Sequence, residues 1–378
     1  MPKFSVLLLA FCLLGSATAQ DISSPDSEPS LGDVARQTKD RVKQLDAAIA
    51  GARVVVHKRF ELISSDDAND RVRELLREHK FNELEAIAAQ ARSSRRQLAG
   101  GIWQLRDFYD TLASPEGGEN AGVMEWNQVR DNLSAWISEM PGSYTAMIAL
   151  ATENMNFGWK IRGHGYGDDV SDARWNELDN QLKSAFTLIS DPVVLNSDCP
   201  YRYDALMQIG LLSGFGKPQM QQIFQKAIAA EPDYYHYYRL YANYLQTKWY
   251  GAPGEVVAFA GRSADQIGGP KGDFVYFEIA SLLGCECGDP SELPHFDWPR
   301  VKSGYAAMER MFGTSVLKQN RMASMAVTMK DFETARSLFR EIGNNWDRGV
   351  WRSEQRFRKA QALVSATQND NTKDATGR

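Results

Sequence analysis

Along most of the chain apolar residues recur at intervals of three and four, the spacing that lays one greasy stripe along a helix and leaves the other face polar. Residues 126–140 show it cleanly, with Trp126, Val129, Leu133, Trp136 and Ile137 on one side and Pro141-Gly142 as a stop. Residues 144–161 predict a long helix rich in small residues (Ala146, Ala149, Ala151, Gly158), closed at Arg162-Gly163, where glycine fits a left-handed cap. Its partner over 175–189 turns Leu178, Leu182, Ala185, Phe186 and Ile189 inward. Nearer the start, Val34, Val42, Leu45 and Ile49 mark a helix that begins at residue 33, breaks at Gly51 and runs towards Leu62. Residues 67–112 predict a hairpin and then one long helix carrying Leu98, Ile102, Leu105, Phe108 and Tyr109, followed by a glycine-rich loop over 114–122. No run alternates with period two, and Val54, Val55 and Val56 are too short a run for a strand, so the expected class is all-α.

The helices are also spaced in a repeating way. In 220–251, Phe224, Ala227 and Pro232 are followed by Tyr238, Tyr241, Ala242 and Leu245; after Pro270 the same offsets hold Tyr276, Ile279, Ala280 and Leu283. Ala323 with Phe332, Ala335 and Phe339 gives a further unit, and Val72 and Leu75 with Phe81, Leu84 and Ala88 an earlier one. A small residue at a fixed place lets two helix backbones come close enough for ridges to enter grooves. These offsets resemble the tetratricopeptide repeat. The resemblance implies an α-α superhelix of TPR-like helical hairpins with irregular insertions between them, a shape that presents one extended surface to a partner.

Composition divides the chain further. Residues 1–19, with Lys3, an apolar run over 4–14 and Ala17-Thr18-Ala19, predict a secretory signal peptide, and Phe11 before Cys12 argues against a lipid anchor. Residues 20–32 are a linker too poor in apolar groups to order, 33–365 are the helical-repeat domain, and 366–378 are a polar tail expected to be disordered. Export to the periplasm or beyond follows. No later segment is apolar enough for a membrane span, and a net charge of −5 disfavours nucleic acid as a partner.

Three places carry candidate chemistry. The loop Arg162-Gly163-His164-Gly165-Tyr166-Gly167-Asp168-Asp169 combines alternate glycines, an imidazole and two carboxylates, a set that a divalent metal could accept, although it matches no metal or phosphate fingerprint. The plain alternative is a connection whose Asp168, Asp169 or Ser171 caps the next helix. Cys199, Cys285 and Cys287 suit an oxidising compartment, with one bridge from Cys199 to Cys285 or Cys287 and one thiol left over; zinc on Cys285, Cys287 and His295 is the alternative. The third place is the tyrosine-rich stretch 234–250, where Tyr234, Tyr237, Tyr244 and Trp249 offer a stripe for a peptide or a glycan while Tyr238 and Tyr241 belong to the core.

No nucleophile elbow, zincin motif, P-loop or calcium loop is present, and no cofactor is implied. Trp159-Lys160-Ile161-Arg162-Gly163 together with Trp249-Tyr250-Gly251 resembles a bacterial family of exported helical proteins known as a domain of unknown function; that resemblance supports localisation and fold and brings no catalytic residues. The expectation is an exported helical-repeat scaffold for a protein or peptide partner. The alternatives are a metal-dependent enzyme or metal-binding protein at the 162–169 loop, and a glycan or cell-wall binder at the tyrosines.

Overall fold

A computed structural model describes residues 65–163, 170–284 and 290–376. The expected signal peptide, linker and first helix before residue 65, the loop residues His164, Tyr166, Asp168 and Asp169, and Cys285 and Cys287 lie outside the described residues.

The described chain is all-α, a series of helical hairpins. It runs α1 (Ser65–Arg77), α2 (Phe81–Ser94), α3 (Gln104–Leu112), α4 (Val123–Glu139), α5 (Tyr144–Arg162), α6 (Asp172–Ile189), the short α7 (Pro192–Leu195), α8 (Tyr201–Leu212) and α9 (Lys217–Ala230). Then come α10 (His236–Tyr244), α11 (Glu255–Ile267), α12 (Gly269–Ala280), α13 (Trp298–Phe312), α14 (Val316–Thr328), α15 (Phe332–Ile342), the short α16 (Arg348–Trp351) and α17 (Glu354–Thr376). Neighbours in sequence pack as neighbours in space: α5 on α6, α11 on α12, α12 on α13, α14 on α15. Side-chain caps set several starts. Ser143 Oγ accepts from the Ala146 amide at 2.9 Å before α5, and Asp331 Oδ1 from the Thr334 amide at 3.2 Å before α15.

The repeat positions form the core as the spacing predicts. Ala242, Ala280, Ala323 and Ala335 are wholly buried, and Phe224 stacks on Tyr241 with ring centres 4.7 Å apart. Gly158 does the same job between α5 and α6: a Cβ there would lie 2.9 Å from Leu178 and 3.2 Å from Gln181 Cβ.

Two expectations are corrected. Residues 97–103 are not helix but a two-stranded ribbon, β1 (Gln97–Leu98) antiparallel to β2 (Ile102–Trp103) across a tight turn. Gly100 and Gly101 sit at φ +78° and +75°, which a helix cannot use. The polar tail, expected to be disordered from 366, continues α17 as helix to Thr376.

The ribbon is a strap. It reaches helices far along the chain: the Gly100 amide donates to Gly313 O at 2.9 Å, Trp103 Nε1 donates to Asp233 O at 3.2 Å, and Arg95 pairs with Glu231 at 3.0 Å. A Cβ on Gly101 would meet the Phe274 ring at 2.5 Å. Replacing Gly101 by alanine thus combines a left-handed backbone with a clash and should cost on the order of 2–4 kcal/mol. Gly118→Ala, also at positive φ (+53°) but with nothing within 4 Å, should cost no more than about 1–2 kcal/mol. Chemical denaturation of both variants checks this, and equal losses would mean the strap is not tightly seated.

Candidate functional site

The last turn of α5 carries Trp159 and two cations, Lys160 and Arg162, at the end of a helix where the exposed carbonyls favour them. Gly163 closes the helix at φ +75°. The close approach allowed by Gly158 brings α6 alongside, so the Arg162 guanidinium lies 4.8 Å from the Trp159 ring centre and 5.1 Å from that of Trp175. Trp249, after α10, comes within 6.3 Å of Trp159, ring centre to ring centre. Two of the residues picked out in the sequence, Arg162 and Trp249, are therefore part of one cluster, completed by Trp159 and Trp175. Trp159 is 37% exposed, one of the few large apolar side chains at the surface. Arg162 donates to Gly163 O at 2.8 Å and meets no carboxylate among the described residues, and the surrounding rings push its pKa below the usual value by desolvation. Trp249 Nε1 is buried without a hydrogen-bond acceptor among the described residues.

The tyrosine stripe is corrected. Tyr234, Tyr237 and Tyr244 are 0–1% exposed, and their hydroxyls are engaged by Asp204 Oδ2 at 2.8 Å, Pro200 O at 2.6 Å and Phe215 O at 2.7 Å. The reason is that α10 is covered on several sides, by α8, α9 and α12 and by Trp103 of the strap, whose ring lies 5.0 Å from that of Tyr234. Tyr238 and Tyr241, expected in the core, are buried too.

Behind the strap runs a seam of buried polar groups that sequence reasoning missed. Asp204 on α8 accepts from Tyr234 and, at 2.7 Å, from Gln208, and lies 3.8 Å from His236 Nε2. Burial pushes its carboxyl up to about 6 against the pull of Arg106. Arg106 on α3 approaches His236 Nδ1 at 3.4 Å and Asp110 Oδ2 at 3.4 Å, while Tyr201 donates to Asp110 at 2.9 Å. Burial, with Arg106, Arg239, Lys318 and Arg321 acting in the same direction, holds His236 well below its usual range, so its imidazole is neutral. The one hint in the sequence is that His236 and Arg239, and again Lys318 and Arg321, stand three apart, one helical turn, in segments that also carry core residues.

Cys199 is a free, buried thiol whose sulfur lies 3.3 Å from the Tyr109 hydroxyl; burial raises its pKa. Its expected bridging partners are outside the described residues. Among the described residues no three His, Cys, Asp or Glu side chains are grouped to hold a metal ion, and no helix is long and apolar enough to cross a membrane.

Residues 68–181 match the family model described as Domain of unknown function (DUF4034). The match runs from α1 into α6 and takes in Trp159, Arg162 and Trp175, whereas Trp249 lies beyond it. No curated protein and no solved structure matches the chain.

The buried carboxyls make stability depend on pH. Glu153 on α5 is fully buried, and although Arg130 grips it at 2.9 and 3.0 Å, burial pushes it up to about 7. Glu153 and Asp204 thus keep their protons in the folded chain at pH values where the unfolded chain has released them. Their contribution to stability is complete below about pH 4 and is lost as the pH rises through 6 to 7. Between about pH 5 and about pH 8 Glu153→Gln should lose less of its denaturation midpoint than the unaltered chain, a difference that stands apart from His236, whose lowered pKa acts in the opposite direction.

Proposed function

We propose that this chain is an exported helical-repeat scaffold that holds a protein partner, and that the contact is made through Trp159, Arg162, Trp175 and Trp249. The observation that carries the reading is an arginine laid across two tryptophan rings at the surface with no carboxylate among the described residues to neutralise it. Tryptophan and arginine are the residues most often found where a few side chains supply most of the binding energy. Such a patch suits an extended peptide with an acidic side chain for Arg162 and an apolar one beside Trp159. The spacing that resembles tetratricopeptide repeats supports the same reading, since stacked hairpins serve as docking surfaces. The apolar run of residues 4–14 supports export.

The experiment is an affinity capture from native envelope extract with the chain lacking residues 1–19 as bait, beside Trp159→Ala and Arg162→Glu versions. A partner should be retained by the unaltered bait and lost roughly thirty-fold with either variant, the effect of removing a binding centre of about 2 kcal/mol. Unchanged far-ultraviolet circular dichroism would show that both variants keep their helices. A partner held equally by all three baits would overturn this assignment of the surface. Retention on insoluble cell-wall polymer, lost in Trp159→Ala alone, would replace the protein partner with a glycan.

A further inference from the structure

The strap's descent into α3 meets the start of α10 at two contacts. Trp103 Nε1 donates to Asp233 O at 3.2 Å, and one helical turn on, the Arg106 guanidinium lies 3.4 Å from His236 Nδ1. The second contact fixes a protonation state. A guanidinium can only donate, so Nδ1 meets it with a lone pair and carries no proton. The hydrogen of the neutral ring sits on Nε2, which faces Asp204 Oδ2 at 3.8 Å, beyond hydrogen-bond reach. A proton added to Nδ1 would turn the acceptor into a second donor and set two cations against each other.

Among the described residues, each acid near the ring is already engaged. Asp204 of α8 accepts from Tyr234 at 2.8 Å and from Gln208 at 2.7 Å, and burial pushes its carboxyl up to about 6. Acid strong enough to protonate an imidazole therefore also discharges Asp204. Asp110 of α3 stands 3.4 Å from Arg106 and accepts from Tyr201, so its charge belongs to the guanidinium. Arg239 on α10, and Lys318 and Arg321 on α14, act against an imidazolium as Arg106 does. Of these, Lys318 is paired with Glu278 of α12, and Arg321 is acted on by Asp347. The His236 side chain keeps 14% of its surface exposed, so protons reach it from solvent.

We propose that His236 is an acid-sensitive latch for the strap: neutral, its ring accepts Arg106 and seats residues 97–106 on α10, and protonated, it repels Arg106 and lets them loosen. Loosening uncovers Tyr234, against which the Trp103 ring rests at 5.0 Å. The direction follows from linkage. Docked, the imidazole stays well below its usual range; released into solvent it regains an ordinary pKa of about 6.5. Release is therefore indifferent to pH above about 7.5 and grows below about 6.5, by roughly thirty-fold at about pH 5. Asp204, with its raised carboxyl, works in the opposite sense, so the latch is read as a difference between chains that share Asp204. It involves none of the residues of the tryptophan patch.

The test is amide hydrogen exchange resolved by peptide mass spectrometry and corrected for the intrinsic pH dependence of exchange, on the unaltered chain and on His236→Asn. Asparagine places an amide oxygen near the position of Nδ1 and does not titrate, so Arg106 keeps an acceptor at either pH. Between about pH 7.5 and about pH 5, protection of 97–106 should fall roughly ten-fold more in the unaltered chain than in His236→Asn. Peptides of α15 should show no such difference. Arg106→Gln is the second variant, and stands alone should His236→Asn not fold. Its amide can donate to a neutral ring or turn to accept from a protonated one, so its strap should also lose the extra sensitivity to acid. Equal losses in the unaltered chain and both variants would overturn the proposal, as would an extra loss in the unaltered chain that is spread evenly over all helices.

Discussion

The crossing of residues 95–103 onto helices more than a hundred positions away is the constraint on which the rest depends. An array of helical hairpins is ordinarily stabilised between neighbours, each unit resting on the next. Here Trp103 is hydrogen-bonded to the start of the α10 hairpin and Gly100 to the turn between α13 and α14. The chain can make that crossing only because two successive residues without side chains pass the Phe274 ring and the Ser315 and Lys318 side chains at distances no Cβ would tolerate. Once seated, the strap leads directly into α3, and α3 delivers Arg106 to His236 and Asp110 to Tyr201. The buried seam is therefore a product of the strap rather than of the repeats.

This arrangement separates two kinds of surface. The interior of the hairpin series is filled by the chain's own residues, so the tyrosines that would have lined an open groove are packed and hydrogen-bonded instead. What is offered to the outside is smaller and more specific: a tryptophan and arginine patch where α5 ends, with Trp159 37% exposed. The patch pairs a fixed geometry with an arginine that meets no carboxylate among the described residues.

Much of the fold was legible because a helix announces its buried face every three or four residues; Ala242, Ala280 and Ala323 were marked as close-contact positions and are wholly buried. The ribbon was not, because Leu98, Ile102 and Leu105 happen to keep helical spacing, although Gly100-Gly101 between them was the warning. The tyrosines misled for a related reason. Periodicity shows that residues share a face but not whether a second layer covers it, and α10 is covered by a segment from far upstream. Arg162 and Trp249 were found as candidates from glycine-loop and aromatic density, yet their meeting with Trp159 and Trp175 needed the α5 and α6 approach at Gly158. The seam was least legible, since Arg239 between Tyr238 and Leu240 reads like any surface arginine until it is seen buried, donating to Glu278 O and Ser281 Oγ.

Native-state hydrogen exchange resolved by peptide mass spectrometry, across a series of sub-denaturing concentrations of denaturant, tests the role of the strap most directly. If the crossing holds the hairpins together, amides of 97–112, of α10 and of α12 should merge into one opening with a single free energy and a single denaturant dependence. If instead α10 and α12 open in order along the chain while 97–112 keeps its own separate protection, the helices stand on their neighbours alone and the strap is only a passenger.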